Sequence, residues 1–147
     1  PHVARALVKH GFCGTMDEAF TRYLRKGAPG WVPKINVNFA EGIRVIHEAG
    51  GLAVMAHPGL NKIDHLIPRM VEAGLDGIEC WHTKHPKSTA KRYREMATRL
   101  GLLITGGSDC HGPSTGRHPL IGTVRVPYEI LDEMKRRLSR STAAKKI

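Results

Sequence analysis

Three short apolar runs, Leu52–Ala56, Gly77–Trp81 and Leu102–Thr105, alternate with segments of helical periodicity, and this alternation constrains the fold more than any other feature. Each run is too short for a helix and is bounded by glycine or by turn-forming residues, so each predicts a buried strand. The segments between them read as helices. One opens on the capping box Asn38-x-x-Glu41 and runs to Gly50-Gly51, a second spans Asp64 to Ala73, and a third spans Ser88 to Leu100. Strands separated by helices cannot be hairpins, so the fold class is α/β with a parallel sheet covered by helices. A further strand is expected at Thr123–Val126, followed by a helix with Pro127 at its first position and Ile130, Leu131 and Met134 along one side.

Residues 1–35 follow a different pattern. Val3, Leu7 and Val8 mark a first helix ending at Gly11. A second begins at the capping box Thr15-x-x-Glu18, carries Phe20, Tyr23 and Leu24, and stops at Gly27 and Pro29-Gly30. The organisation is therefore a small helical insertion at 1–35, an α/β body at 36–140 and a basic tail at 141–147.

Composition narrows the class of protein. The sequence has no apolar stretch of membrane-spanning length, and it opens at Pro1 without an initiator Met or signal-peptide pattern. A cytoplasmic location, no membrane partner and a longer parent chain are expected. Cys13, Cys80 and Cys110 are odd in number and form no C-x-x-C pair, which argues against a disulfide framework and a zinc knuckle. Lys and Arg number 23 against 13 Asp and Glu, a net charge of +10 that favours polyanions or phosphorylated small molecules. No aromatic platform is interleaved with the cations, so a dedicated nucleic-acid surface is the weaker reading of that charge. Nothing in the sequence points to a protein partner.

The chemistry-bearing residues fall immediately after the three strands, where α/β folds place their functional loops. Ala56-His57-Pro58-Gly59 follows the first, Trp81-His82-Thr83-Lys84-His85-Pro86 the second, and Gly106-Gly107-Ser108-Asp109-Cys110-His111-Gly112 the third. Asp109 and His111 offer a hard oxygen and an imidazole nitrogen two residues apart in a glycine-flanked turn, a pattern suited to a common metal centre. His57 leaves a buried strand at its mouth, where a core histidine would instead lie within the strand. Glu79, inside the second strand, either points towards cations at the sheet mouth or makes a structural ion pair. His82 and His85 are candidates to complete a metal set or contact a phosphate, and an exposed loop accounts for them as well. Ser108 lacks the strand-to-helix elbow of a nucleophile and reads as a turn residue.

Taken together, Ala56-His57-Pro58-Gly59, Gly77-Ile78-Glu79 and Gly107-Ser108-Asp109-Cys110-His111-Gly112 resemble the PHP family, named for polymerase and histidinol phosphatase. The opening Pro1-His2-Val3-Ala4-Arg5-Ala6-Leu7 and Gly30-Trp31-Val32-Pro33 are similar to its branch of nucleotide-bisphosphate phosphatases and RNA 5′-end exonucleases. The resemblance implies the C-terminal part of a distorted seven-stranded β/α barrel holding two or three divalent metal ions (manganese, zinc, iron or magnesium), with His57, Asp109 and His111 as catalytic metal ligands. It implies an insertion covering the site, with His2 and Lys26 or Arg22 contacting substrate phosphate, and His82 or His85 orienting the phosphate or assisting proton transfer.

The implied activity is hydrolysis of phosphate esters, on a 3′,5′-nucleotide bisphosphate or a short oligoribonucleotide. Histidinol phosphate is an alternative substrate, and a basic non-catalytic nucleic-acid-binding module is an alternative class. The family's opening histidine-x-histidine motif, its next aspartate and histidine, and a bridging glutamate would precede Pro1, and Cys110 stands where Phe is usual. This chain alone is therefore expected to carry about half a metal site and to be inactive.

Overall fold

The computed structural model describes residues 2–33, 37–112 and 120–144. Pro1, the expected boundary near residue 35 and the Lys145-Lys146 tail lie outside them. The chain divides into two compact units, Pro1–Asn36 and Val37–Ile147.

In the first unit, α1 (His2–Lys9) and α2 (Met16–Ala19) enclose a small cluster of Ala4, Cys13 and Ala19. The Thr15 hydroxyl accepts the Glu18 N–H at 3.1 Å, while the Glu18 carboxylate reaches back past the usual capping-box partner to the Gly14 N–H at 2.8 Å. The chain then widens into a π-helical turn, Phe20–Leu24. Gly30 closes the unit: its N–H donates to the Tyr23 carbonyl, and a Cβ there would sit 2.9 Å from that oxygen.

The second unit is a three-stranded parallel sheet in sequence order, β1 (Val54–Met55), β2 (Gly77–His82) and β3 (Leu103–Gly107). The helices are α3 (Phe39–Glu48), α4 (Pro58–Asn61), α5 (Ile67–Glu72, after a 3₁₀ turn at Asp64–Leu66), α6 (Lys87–Arg99) and α7 (Glu129–Ala144). Asn38 caps α3 by accepting the Glu41 N–H at 2.9 Å, as its capping box predicts, although the Glu41 carboxylate pairs forward with Arg44. Ile78 and Cys80 of β2 pack with Met55, Ile67, Met70, Tyr93 and Ala97 into the main core. Burying such side chains contributes roughly 1.5–3 kcal/mol each.

At the N-terminal end of the sheet, Asp76 ties four elements together. Its carboxylate accepts the Ala53 N–H at 2.7 Å and lies 2.7 Å from His47 Nε2 on α3, and its carbonyl accepts the Leu103 N–H and the Arg137 guanidinium of α7, both at 2.8 Å. These bonds fix the end of the sheet opposite the three loops.

Two sequence expectations are corrected. Thr123–Val126 is not a strand: Val126 approaches β3 through its side chain, 2.9 Å from where a Gly106 Cβ would stand, and without ladder hydrogen bonds β-type composition alone makes no strand. The last helix opens at Glu129, two residues beyond Pro127, whose carbonyl accepts the Ile130 N–H.

The register of β2 against β3 is decisive for the site. Glu79 pairs with Thr105, but Trp81 pairs with Gly106 and His82 with Gly107, so Cys80 is a bulge residue with no counterpart. Paired residues share a face, and Thr105 and Gly107 lie two apart on one face of β3. Glu79 and His82, three apart in sequence, are therefore returned to the same face, the one turned away from the Ile78 core.

Candidate metal centre at the C-terminal rim

All three loops open at the C-terminal ends of the parallel strands. His57 leaves β1 with φ +33° and caps α4, with Pro58 at the first helical position. Asp109, after β3, has φ +54°. Left-handed backbone is uncommon for non-glycine residues, and such strain concentrates where side-chain placement matters. The strain at His57 is held by Glu79, whose carboxylate Oε2 accepts the His57 N–H at 2.7 Å. Gly107 leaves room for this contact, since a Cβ there would lie 3.1 Å from Glu79 Oε1. Glu79 is thus neither an ion-pair partner nor aimed only at cations; it clamps the His57 loop to β2.

His82 has a fully buried side chain. Its Nδ1 accepts the Lys84 N–H at 3.1 Å, and its Nε2 lies 3.7 Å from Asp109 Oδ2. The rings of His57 and His82 stand 5.8 Å apart, edge to face. His57 Nδ1 and His82 Nε2 are buried without a hydrogen-bond partner among the described residues. Buried polar atoms are nearly always paired, so two orphaned imidazole nitrogens on adjacent loops mark a place that other atoms are meant to occupy. His111 is mostly exposed, and its Nδ1 donates to the Asp109 carbonyl at 2.7 Å, which leaves Nε2 as the nitrogen with a free lone pair. Thr83 binds the second loop to the third by donating to the Ser108 carbonyl at 3.2 Å.

His85 departs from its expected role at a phosphate. It is buried, its Nδ1 donates to the Cys80 carbonyl at 2.9 Å, and its Nε2 accepts the Gly59 N–H at 3.3 Å. With both nitrogens engaged and Tyr93 stacked 5.5 Å away, it is a strut between the bulge and α4. Arg22 is likewise taken by Glu18, at 2.5 Å. His2 lies exposed at the start of α1, and Lys26 lines a cleft of about 720 Å³ with Val3, Leu24, Gly30, Trp31, Val32 and Pro33, all within the first unit.

The cysteines differ in environment. Burial pushes the Cys80 thiol up to about 12, whereas N–H donors from Gly112, then Leu120 and Ile121, hold the half-exposed Cys110 below the usual thiol range. Among the described residues there is no group of three or more His, Cys, Asp or Glu that could hold a metal ion. Nor is any helix among them long and apolar enough to cross a membrane.

Imidazole and carboxylate groups thus share one rim of a parallel α/β layer. A crystal structure of a metal-dependent phosphoesterase from Bifidobacterium adolescentis superposes with a TM-score of 0.68 at 32% identity, covering 91% of this chain and 48% of that one. An amidohydrolase from Chromobacterium violaceum, with bound sulfate and no metal, gives 0.55 at 32% identity, covering 94% and 49%. In sequence, the chain is 47% identical over 91 residues to a phosphoribosyl 1,2-cyclic phosphate 1,2-diphosphodiesterase of Eggerthella lenta, covering 62% of this chain and 34% of the relative. It is 34% identical over 131 residues to a 3′,5′-nucleoside bisphosphate phosphatase of C. violaceum (86% and 46%), and 32% identical over 117 residues to a 5′–3′ exoribonuclease of Escherichia coli (76% and 40%). No family model matches the chain. These relatives and structural neighbours support a fragment of a PHP-family phosphoesterase, and the parallel sheet is consistent with part of a barrel of that type. The chain spans less than half the length of these relatives.

Proposed function

We propose that the complete protein hydrolyses phosphate esters with the help of divalent metal ions, acting on a 3′,5′-nucleoside bisphosphate or a short oligoribonucleotide. The observation that carries this reading is the pair of buried, unpartnered imidazole nitrogens, His57 Nδ1 and His82 Nε2, converging with the Asp109 carboxylate at one rim. The names of the bisphosphate phosphatase and exoribonuclease relatives support the substrate class.

In this reading His57, Asp109 and His111 hold metal from one side, and donors beyond the described residues complete the site. A bound divalent ion supplies Lewis acidity towards a phosphate oxygen and lowers the pKa of a water molecule. This chain's own residues set the geometry. Glu79 fixes the backbone that carries His57, the His111 Nδ1–H bond presents Nε2 outward, and Thr83 holds the Asp109 loop against the His82 loop. No side-chain nucleophile is required, and Ser108 serves as a turn residue. His2 and Lys26 on the first unit are proposed contacts for substrate phosphate, Lys26 from a cleft whose Trp31 and Val32 offer an apolar surface for a base.

The test is phosphate release by the complete protein with manganese, comparing a 3′,5′-bisphosphonucleotide, a 5′-phosphorylated oligoribonucleotide and histidinol phosphate. Turnover of either nucleotide substrate, lost in Asp109→Ala and in His57→Ala, is the expected result. Undiminished release by both variants would overturn the proposal, and salt-sensitive RNA binding without hydrolysis would identify a binding module instead.

A further inference from the structure

We infer that His82 is a hydrogen-bond donor to a phosphoryl oxygen of the substrate, held in one tautomer for that purpose, and is not a metal ligand. The inference rests on the reading of this rim as a phosphoesterase site and gives His82 a single role within it.

The Cys80 bulge decides which way His82 faces. Simple alternation along β2 would turn His82 to the helix-covered face with Ile78; the bulge returns it to the face of Glu79 and Gly107. There the side chain is fully buried and the ring is wedged between His57, 5.8 Å away, and His85, 5.2 Å away. His85 is itself pinned at both nitrogens, and the His82 Nδ1 is held by its own main-chain bond.

The main chain then decides where the proton sits. Lys84 N–H points at His82 Nδ1 from 3.1 Å, which requires a lone pair on Nδ1. A neutral imidazole has one N–H, and here it must be at Nε2. A nitrogen bearing a proton offers no lone pair to a cation, so Nε2 cannot coordinate metal unless the Lys84 bond breaks or the ring loses its last proton. His111 is arranged the other way round, with Nδ1 donating and Nε2 left bare. The two histidines thus present opposite chemistry to the same rim: a lone pair from His111 and an N–H from His82.

The His82 Nε2–H has no acceptor among the described residues, and Asp109 Oδ2 at 3.7 Å is beyond hydrogen-bond distance. What fits a buried, oriented donor beside metal-binding groups is an anionic oxygen that arrives with the substrate. In a phosphate ester that is a phosphoryl oxygen, on which charge accumulates during hydrolysis.

The experiment compares His82→Phe, which removes the donor, with His82→Gln, whose amide N–H₂ reaches towards the Nε2 position, in the complete protein. Three quantities are read: manganese content by mass spectrometry, affinity for inorganic phosphate by calorimetry on the metal-loaded protein, and kcat/KM on the bisphosphonucleotide. Expected are unchanged manganese in both variants, about 10- to 100-fold weaker phosphate binding and lower kcat/KM in His82→Phe, and recovery of most of both in His82→Gln. Loss of manganese in His82→Gln would make His82 a ligand and overturn the inference, as would wild-type phosphate affinity in His82→Phe. Should His82→Phe fail to fold, as judged by circular dichroism, His82→Gln decides alone: retained metal with near-normal phosphate binding is the expected outcome, and loss of either refutes it. Because phosphate binding is read without turnover, a wild-type protein that hydrolyses none of the esters would sink the proposed function and still leave this inference open to test.

Discussion

Replacing Gly59 with Ala tests whether His85 is the strut that holds the His57 loop. The added Cβ would stand 2.8 Å from His85 Nε2, 3.0 Å from its Cδ2 and 3.3 Å from Thr89 Cγ2. His85 cannot yield, because its ring is buried, bonded to the Cys80 carbonyl and packed between His82 and Tyr93. Overpacking of this kind costs about 1–3 kcal/mol, and loss of the Gly59 N–H bond to His85 about 1 more. Gly59 lies within α4, so Ala gains back about 1 kcal/mol of helix propensity. The net expectation is a destabilisation of about 1–3 kcal/mol, read as a lower urea midpoint at unchanged m-value. A double-mutant cycle makes the test specific: in a His85→Ala background both the clash partner and the N–H acceptor are gone, and Gly59→Ala should range from neutral to about 1 kcal/mol stabilising. Equal costs in both backgrounds, or a Gly59→Ala protein as stable as wild type, would refute the reasoning.

Two further predictions follow from titration and thiol chemistry. Tyr93 is wholly buried, with burial the first cause and its bond to Asp64 the second of a hydroxyl pushed up to about 12. A folded pKa above the unfolded one means its contribution is fully present below pH 10 and is lost as pH rises towards 12. The unfolding free energy from urea titrations should fall across that window, by at most about 1.4 kcal/mol per pH unit, and Tyr93→Phe should flatten the fall; an unchanged slope in the variant would count against it. Maleimide labelling at neutral pH with mass-spectrometric mapping should modify Cys110 well before the buried Cys13 and Cys80, and manganese should slow it. Labelling of Cys80 at the same rate would show that the core around β2 is not closed.

The parallel sheet and the polar loops at its C-terminal rim were legible because apolar runs, capping residues and strand-end polar residues are local signals. Thr15 and Asn38 cap where their sequences predict. The features that were not legible depend on partners remote in sequence. β1 shrinks to Val54–Met55 because the Ala53 main chain is claimed by Asp76, 23 residues away. α4 has only four residues and no amphipathic period to betray it. The Cys80 bulge exists only in the register with β3, yet it decides that Glu79 and His82 share a face. Sequence could name His82 and His85 together as candidates; only the hydrogen bonds separate His82, whose Nε2 has no partner among the described residues, from His85, bonded at both nitrogens. Sequence left His47 without a role, and its bond to Asp76 closes the opposite end of the sheet.

The central claim is that this rim holds metal through His57 and Asp109, and metal stoichiometry measures it directly. The complete protein, its His57→Ala and Asp109→Ala variants, and an exposed control, His65→Ala, would be loaded with manganese and assayed by calorimetry and elemental mass spectrometry. Reduced manganese in both rim variants, with wild-type content in the control, is the predicted result. Equal manganese in all four proteins would contradict the account.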